Sequence, residues 1–303
     1  MYKYHKKNEL NVMEYDFDSM RDLLGFVESA PLSNVWKNAK TYSEDTENPG
    51  FYGTENLKEA MDLCKYGQHD SGYNKLLSLK ENLDRYIKET ERLPRQYNEF
   101  FGFAPDVASY LMGHPLDMFN HKKRVRKKVD VYFNLVNKAF TDKNQIFNRG
   151  AILFSLISKL EEMNADVNLF FFAMSECNDQ VHFSKVIVKN EAQRLNTRNA
   201  YFPIVNPSMQ RRIIFRLREK TPDITMPWTD GYGNPCGIDT IKKIIKVDDQ
   251  TMIFGTCDEM GIKGDDIVED AQNAFSFIEG TSDVLKKSKF EGMIRRVGHE
   301  KQQ

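Results

Sequence analysis

The sequence predicts an α/β protein, a Rossmann-like sheet flanked by helices and preceded by a mainly helical N-terminal region. Three observations carry that expectation. Residues 129–136 (Val-Asp-Val-Tyr-Phe-Asn-Leu-Val) are β-branched and aromatic, as strands are. Residues 167–173 (Val-Asn-Leu-Phe-Phe-Phe-Ala) form a near-continuous apolar run, which marks a strand covered on both faces. Between them, Ile152, Leu153, Leu156, Ile157 and Leu160 recur at helical spacing. Strand, helix and strand in that order make a βαβ unit with parallel strands.

The remaining elements follow along the chain. Asp16 and Asp18 precede Met20, Leu23, Leu24 and Val27, so a helix with an acidic cap is expected there. Residues 37–53 are turn-rich, with Asn48-Pro49-Gly50 among them. A second helix is expected over 56–65, capped by Asn56, with Glu59 three residues on and Gly67 as its stop. A third covers 72–92, with Leu76, Leu77, Leu79, Leu83, Tyr86 and Ile87 mainly on one side, and Pro94 halts it. Residues 95–120 should hold a short strand, a short helix begun by Pro105-Asp106, and a connecting loop. In the core, Asn148 is read as the cap of a helix over 149–163, and Asn164 as a turn. Val181 to Val188 makes a third strand.

A helix over 207–220 has Pro207 in its first turn and Pro222 at its end. Residues 221–240 are turn-rich. Ile241–Val247 and Thr251–Phe254 flank Asp248-Asp249 and read as a strand pair or edge hairpin. Asp265 and Asp266 cap a last helix carrying Ile267, Val268, Ala271, Ala274, Phe275 and Ile278, which Gly280 stops. The chain therefore divides into a helical, loop-rich region (1–120), an α/β core (121–285) and a charged tail (286–303).

Composition bounds the function. The chain has 303 residues, 40% hydrophobic and 29% charged, a globular balance outside the disordered range. Its net charge of -1 argues against a protein whose main work is coating nucleic acid, though not against a local basic patch. Cys64, Cys177, Cys236 and Cys257 are scattered without a Cys-x-x-Cys pair, so reduced, buried thiols are expected rather than a disulfide framework. No apolar run reaches the roughly 18 residues that span a bilayer, and no apolar stretch follows the basic start Met1–Lys7. The expected compartment is the cytoplasm, with no membrane association.

Several motifs, taken in order, resemble a family of uncharacterised bacteriophage-encoded proteins. They are Phe51-Tyr52-Gly53-Thr54-Glu55-Asn56-Leu57-Lys58-Glu59-Ala60, Gly102–Pro105, Gly113-His114-Pro115 with Met118, and Asn148-Arg149-Gly150-Ala151. Leu160-Glu161-Glu162, Asn206-Pro207-Ser208 with Arg211-Arg212, and Gly231-Tyr232-Gly233 continue the series. That family supplies no activity to carry over. If the resemblance holds, the host cytoplasm is the site of action. The order of elements in the core also resembles a von Willebrand factor A domain. Such domains hold a metal with Asp-x-Ser-x-Ser at the end of the first strand. The matching positions here are Asn134, Val136 and Lys138, which supply no carboxylate or hydroxyl. The resemblance thus implies protein recognition without a metal, and AAA+ ATPases are frequent partners in that fold class.

Three groups of residues are candidates for a site. The first is the basic run Lys122, Lys123, Arg124, Arg126, Lys127 and Lys128, interrupted only by Val125. It could neutralise phosphates or an acidic partner. Its bland alternative is a solvated approach to the first core strand. The second is Arg211, Arg212 and Arg216, suited to phosphate or an acidic surface, or else to pairing with nearby carboxylates. The third is Asn137, Lys138, Asn148 and Arg149, around the strand end where open α/β sheets bind ligands. There the bland alternative is a helix cap and a surface contact. No catalytic triad, metal spacing or cofactor motif is legible. His5, His69, His114, His121, His182 and His299 show no ligand spacing, and Gly231-Tyr232-Gly233 is a turn. The leading expectation is a non-catalytic binding or assembly protein with a protein partner. Nucleic-acid binding through 122–128 and an enzyme of nucleotide-like ligands are the alternatives, and the oligomeric state is left open.

Overall fold

A computed structural model describes residues 2–68, 70–86, 96–99, 101, 104–121, 127–163, 165–177, 180–222 and 233–282. The chain opens with a hairpin of β1 (Tyr2–Lys7) and β2 (Leu10–Phe17), paired from Tyr2↔Tyr15 to Lys7↔Leu10. Asn8 and Glu9 turn it with φ of 49° and 68°, the two positive values of a type I′ turn. The helical expectation for the N-terminal region contained neither strand. β1 has no buried face to show a pattern, and β2 buries residues on both sides of the sheet, which blurs its alternation.

α1 (Met20–Ser29) is capped by Ser19, whose Oγ accepts from the Asp22 N–H, rather than by Asp16 or Asp18. A short α2 (Pro49–Tyr52) sits in the turn-rich stretch. α3 (Leu57–Tyr66) starts at Asn56, whose Oδ1 accepts from the Glu59 N–H, and stops at Gly67, as the sequence predicts. Gly67 has φ of 87°, a region that favours glycine. α4 (Ser71–Tyr86) fits the third expected helix, and residues 87–95 lie outside the described ones. A small antiparallel sheet follows, made of β3 (Gln96–Glu99), β4 (Ala104–Pro105) and β5 (Met118–His121). α5 (Val107–Leu111), capped by Asp106, lies between the last two. β5 stands where a connecting loop was expected.

The predicted βαβ unit is present. β6 (Lys128–Asn134) and β7 (Asp166–Cys177) are parallel and joined by α6 (Lys143–Glu162). α6 begins earlier than the sequence suggested. Asp142 caps it through a box with Gln145, and Asn148 lies inside the helix, buried. β8 (Gln180–Lys189) returns antiparallel to β7, and β2 lies parallel beside it. α7 (Thr197–Val205) has no counterpart in the expectation, because Pro203 inside it reads as a breaker. The helix expected over 207–220 is a π-helical turn at Met209–Ile214 that runs into α8 (Phe215–Glu219). The expected strand at 241–247 is instead α9 (Ile238–Ile244). Its β-branched residues mimic a strand, but Ile241 and Ile244 are spaced to bury one helical face. Only β9 (Thr251–Phe254) is a strand, and it pairs parallel with β6, not with 241–247. α10 (Ile267–Thr281) is capped by Asp266 as expected, but Gly280 lies within it and Ser282 ends it.

The main sheet thus runs β1-β2-β8-β7-β6-β9. One face, with Tyr15, Val131, Phe133 and Phe171, packs against α1, α3, α6, α7, the π turn and α10. The other, with Val12, Phe172, Met174 and Ile253, is covered by Ile241 and Ile244 of α9, by Ile245 just after it and by Cys236.

Candidate functional site

The strand end that the sequence singled out is closed by the chain itself. Asn137 donates its N–H to Gln210 Oε1 at 2.8 Å, and Gln210 Nε2 donates to Asn137 O at 3.2 Å. Lys138 is exposed and pairs with Asp258 at 2.8 Å, which raises its pKa. Asn148 does not cap a helix. Its Nδ2 donates to Asp270 at 2.7 Å, and the same buried carboxylate accepts from the Lys263 and Gly264 N–H groups. Arg149 is fully buried, with Nη1 donating to Gly255 O at 3.0 Å and the guanidinium 4.5 Å from the Phe133 ring centroid. Burial lowers its pKa. Asn137, Lys138 and Arg149 thus each reach the 255–258 stretch, with Asn137 Oδ1 3.7 Å from Cys257 Sγ, whereas Asn148 is engaged by Asp270. Arg211 stacks 3.9 Å from Phe51 and donates to the carbonyls of Phe51 and Ala139, which draws the 43–55 segment over the strand end.

The arginines on the π turn also face inward. Arg212 Nη1 donates to the Ser43 and Asp45 carbonyls at 2.9 and 2.6 Å, and Nη2 to those of Thr54 and Glu55 at 2.9 and 3.1 Å. Its Nε reaches Thr54 Oγ1, and its plane lies over Tyr52. Arg216 pairs with Glu44 at 2.9 Å and Glu219 at 3.5 Å. Glu219 is itself fully buried and accepts from the Ser43 N–H and Oγ; burial pushes its carboxyl pKa up, against those bonds. These residues clamp the 43–55 strap. In the basic run, Lys122, Lys123, Arg124 and Arg126 lie outside the described residues. Lys127 is exposed, and Lys128 pairs with Glu191 at 3.2 Å.

The metal position of the von Willebrand pattern does not fit a cation. Asn134 Oδ1 accepts from the Val136 N–H at 2.9 Å, and Lys138 carries its own charge to Asp258. Among the described residues, no group of three or more His, Cys, Asp or Glu could hold a metal. His182 is fully buried, with Nε2 3.1 Å from Thr221 Oγ1. Burial first, then the charge of Arg218, hold its pKa well below the usual value, so the ring is neutral.

A recess lies elsewhere. α1 and α3 stand apart over the sheet and leave a groove of about 1440 Å³. Phe171, Ile187 and Val188 form its sheet side, Met20, Leu24, Met61 and Cys64 its helical walls, and Arg21, Asp22, Glu28, Lys58, Asp62 and Lys65 also line it. Burial pushes the Cys64 thiol up to about 12, so it stays protonated. Sequence reasoning placed both helices but missed the groove. The available signal was that methionines 20 and 61 each begin or extend an apolar stripe on a short helix.

A family model described as Domain of unknown function (DUF7192) matches residues 4–289. The chain belongs to the DUF7192 family. No curated protein and no solved structure matches this DUF7192 chain. The family match spans both helices of the groove, the six-stranded sheet and the arginine clamp. Chemically, the DUF7192 groove offers apolar contact with adaptable methionines and a lining of both charge signs. Among the described residues of this DUF7192 protein, no helix is long and apolar enough to cross a membrane.

Proposed function

We propose that this DUF7192 protein is a non-catalytic recognition protein that binds another protein through the groove between α1 and α3. The observation that carries this reading is the groove itself, large enough for an amphipathic helix and walled by two helices over apolar sheet residues. Its apolar floor and charged surround have the composition of a recognition surface. Cys64, protonated at neutral pH, is a poor nucleophile there. We further propose a phage-encoded protein acting in the host cytoplasm, with a von Willebrand factor A-like core and an AAA+ ATPase as candidate partner. The motif order supports the first part. The core supports the second: β6, α6 and β7, an antiparallel β8, and β9 returning beside β6.

The test uses Met20→Arg and Met61→Arg, both at partly buried positions in the groove. A protein retained by the wild type should be lost by both variants at unchanged thermal stability. Retention by both variants, or a monomer that holds no partner, overturns the reading. A second reading is favoured by the density of the 122–128 basic run, now without support from the inward-facing Arg211 and Arg212. It expects nucleic-acid affinity that falls steeply with salt and disappears on neutralising Lys122, Lys123, Arg126 and Lys127. Unchanged binding in that variant ends it.

A further inference from the structure

We propose that β1 is a docking edge for an acidic, extended peptide, which adds to the main sheet as a further strand. β1 ends the strand order, and among the described residues it pairs only with β2. The two-residue turn at Asn8 and Glu9 fixes which main-chain groups face which way. In such a hairpin the residues flanking the turn exchange both backbone bonds, and the alternation then continues down the ladder. Lys7, His5 and Lys3 therefore aim their N–H and C=O groups at β2. Tyr4 and Lys6 aim theirs outward, at the spacing an incoming strand needs.

The charge on this edge selects the occupant. β1 reads Tyr-Lys-Tyr-His-Lys-Lys, with Lys3 and Lys6 exposed. Lys7 is engaged at Ile244 O (2.6 Å), and His5 lies 3.7 Å from Glu14. A second copy of this edge would bring a basic strand against a basic strand, which like-charge repulsion disfavours. The lysines that guard the edge against its own kind attract an acidic strand. Tyr4, 56% exposed, offers a ring for one apolar side chain of that strand. Lys3 lies on the opposite face of the strand from Tyr4 and Lys6, so a run of alternating acidic and apolar residues in extended form can set its acids on the Lys3 face and its apolar side chains on the Tyr4 face. The helix-walled groove plays no part in it.

The test uses the full chain and a fluorescent peptide of alternating glutamate and valine. Two controls accompany it: a lysine–valine peptide, and the acidic peptide with a central proline. The acidic peptide should bind at least about tenfold tighter than either control, and less tightly as salt rises. Amide exchange at Tyr4 and Lys6, fast in the protein alone, should slow on binding, while Lys3 and His5 are protected throughout. Tyr4→Pro removes an outward N–H and spares the β1–β2 bonds, so it should weaken binding about tenfold or more. If that variant loses the hairpin, Lys3→Glu with Lys6→Glu gives the same reading through charge. Equal binding of the acidic and basic peptides, no binding of the acidic peptide, or Tyr4 and Lys6 amides already as protected as those of Lys3 would overturn the proposal.

Discussion

Two buried arginines illustrate how little residue type says about role. Arg212 has every guanidinium nitrogen engaged, on four carbonyls and a hydroxyl of one strap. Arg149, equally buried, donates from Nη1 only; its Nε and Nη2 have no hydrogen-bond partner among the described residues. A buried charge without full compensation stabilises little. Arg149→Met should therefore leave stability within about 1 kcal/mol of wild type or raise it, whereas Arg212→Met should cost roughly 3 kcal/mol by releasing the strap. Chemical denaturation measures both, and an equal loss in the two variants would contradict the distinction. His182 adds a pH dependence. Its folded pKa lies below the unfolded one, so the unfolded state takes up the proton first. This contribution is intact above the ordinary value of about 6.5 and is lost as pH falls below it. His182→Gln should flatten the acid side of the stability–pH curve relative to wild type. A curve unchanged in shape would show that His182 does not set it.

At the scale of elements, the cap of α6 shows why a local signal can mislead. Asn148 is a good capping residue in sequence, yet it sits within the helix because its amide is spent on Asp270 of α10. Gly150 beside it serves close approach: a Cβ there would lie 2.6 Å from Ile204 of α7. The real cap, Asp142, is exposed to its own turn and replaceable by solvent. Asp142→Ala should cost about 1 kcal/mol. Asn148→Ala should cost more, about 2–3 kcal/mol, because it removes a donor from a buried carboxylate. Thermal unfolding of the two variants orders them, and the reverse order would show that the buried Asn148–Asp270 bond contributes less than the exposed cap. α9 is the converse case. Its isoleucines suggest a strand, but only tertiary packing against Phe172 and Ile253 decides between the two periods.

Across the whole molecule, a single apolar cluster draws residues from Tyr15 to Ile278. Arg212, Arg211 and Glu219 tie the 43–55 strap to the π turn across more than 150 residues of sequence. One cooperative unfolding transition is expected for this body, with aromatic near-ultraviolet and backbone far-ultraviolet dichroism changing together. Separate midpoints would show that the N-terminal helices unfold on their own. The groove belongs to this scale as well, since its lining comes from α1, α3 and the sheet, segments far apart in the chain.

The sequence by itself determined the βαβ centre, the α3 cap and stop, and the Asp266 cap of α10. These rest on local periodicity and on side chains that bond within one turn. It also held the candidate arginines and asparagines by residue type. The tertiary structure decided where they point, because the chain's own carbonyls compete for a guanidinium as well as any ligand does. It turned Arg149, Arg211 and Arg212 inward, closed the strand-end crevice, placed β1 at an edge and opened the groove between two helices. Those outcomes depend on contacts between residues far apart in the chain, and no window of neighbouring residues encodes them.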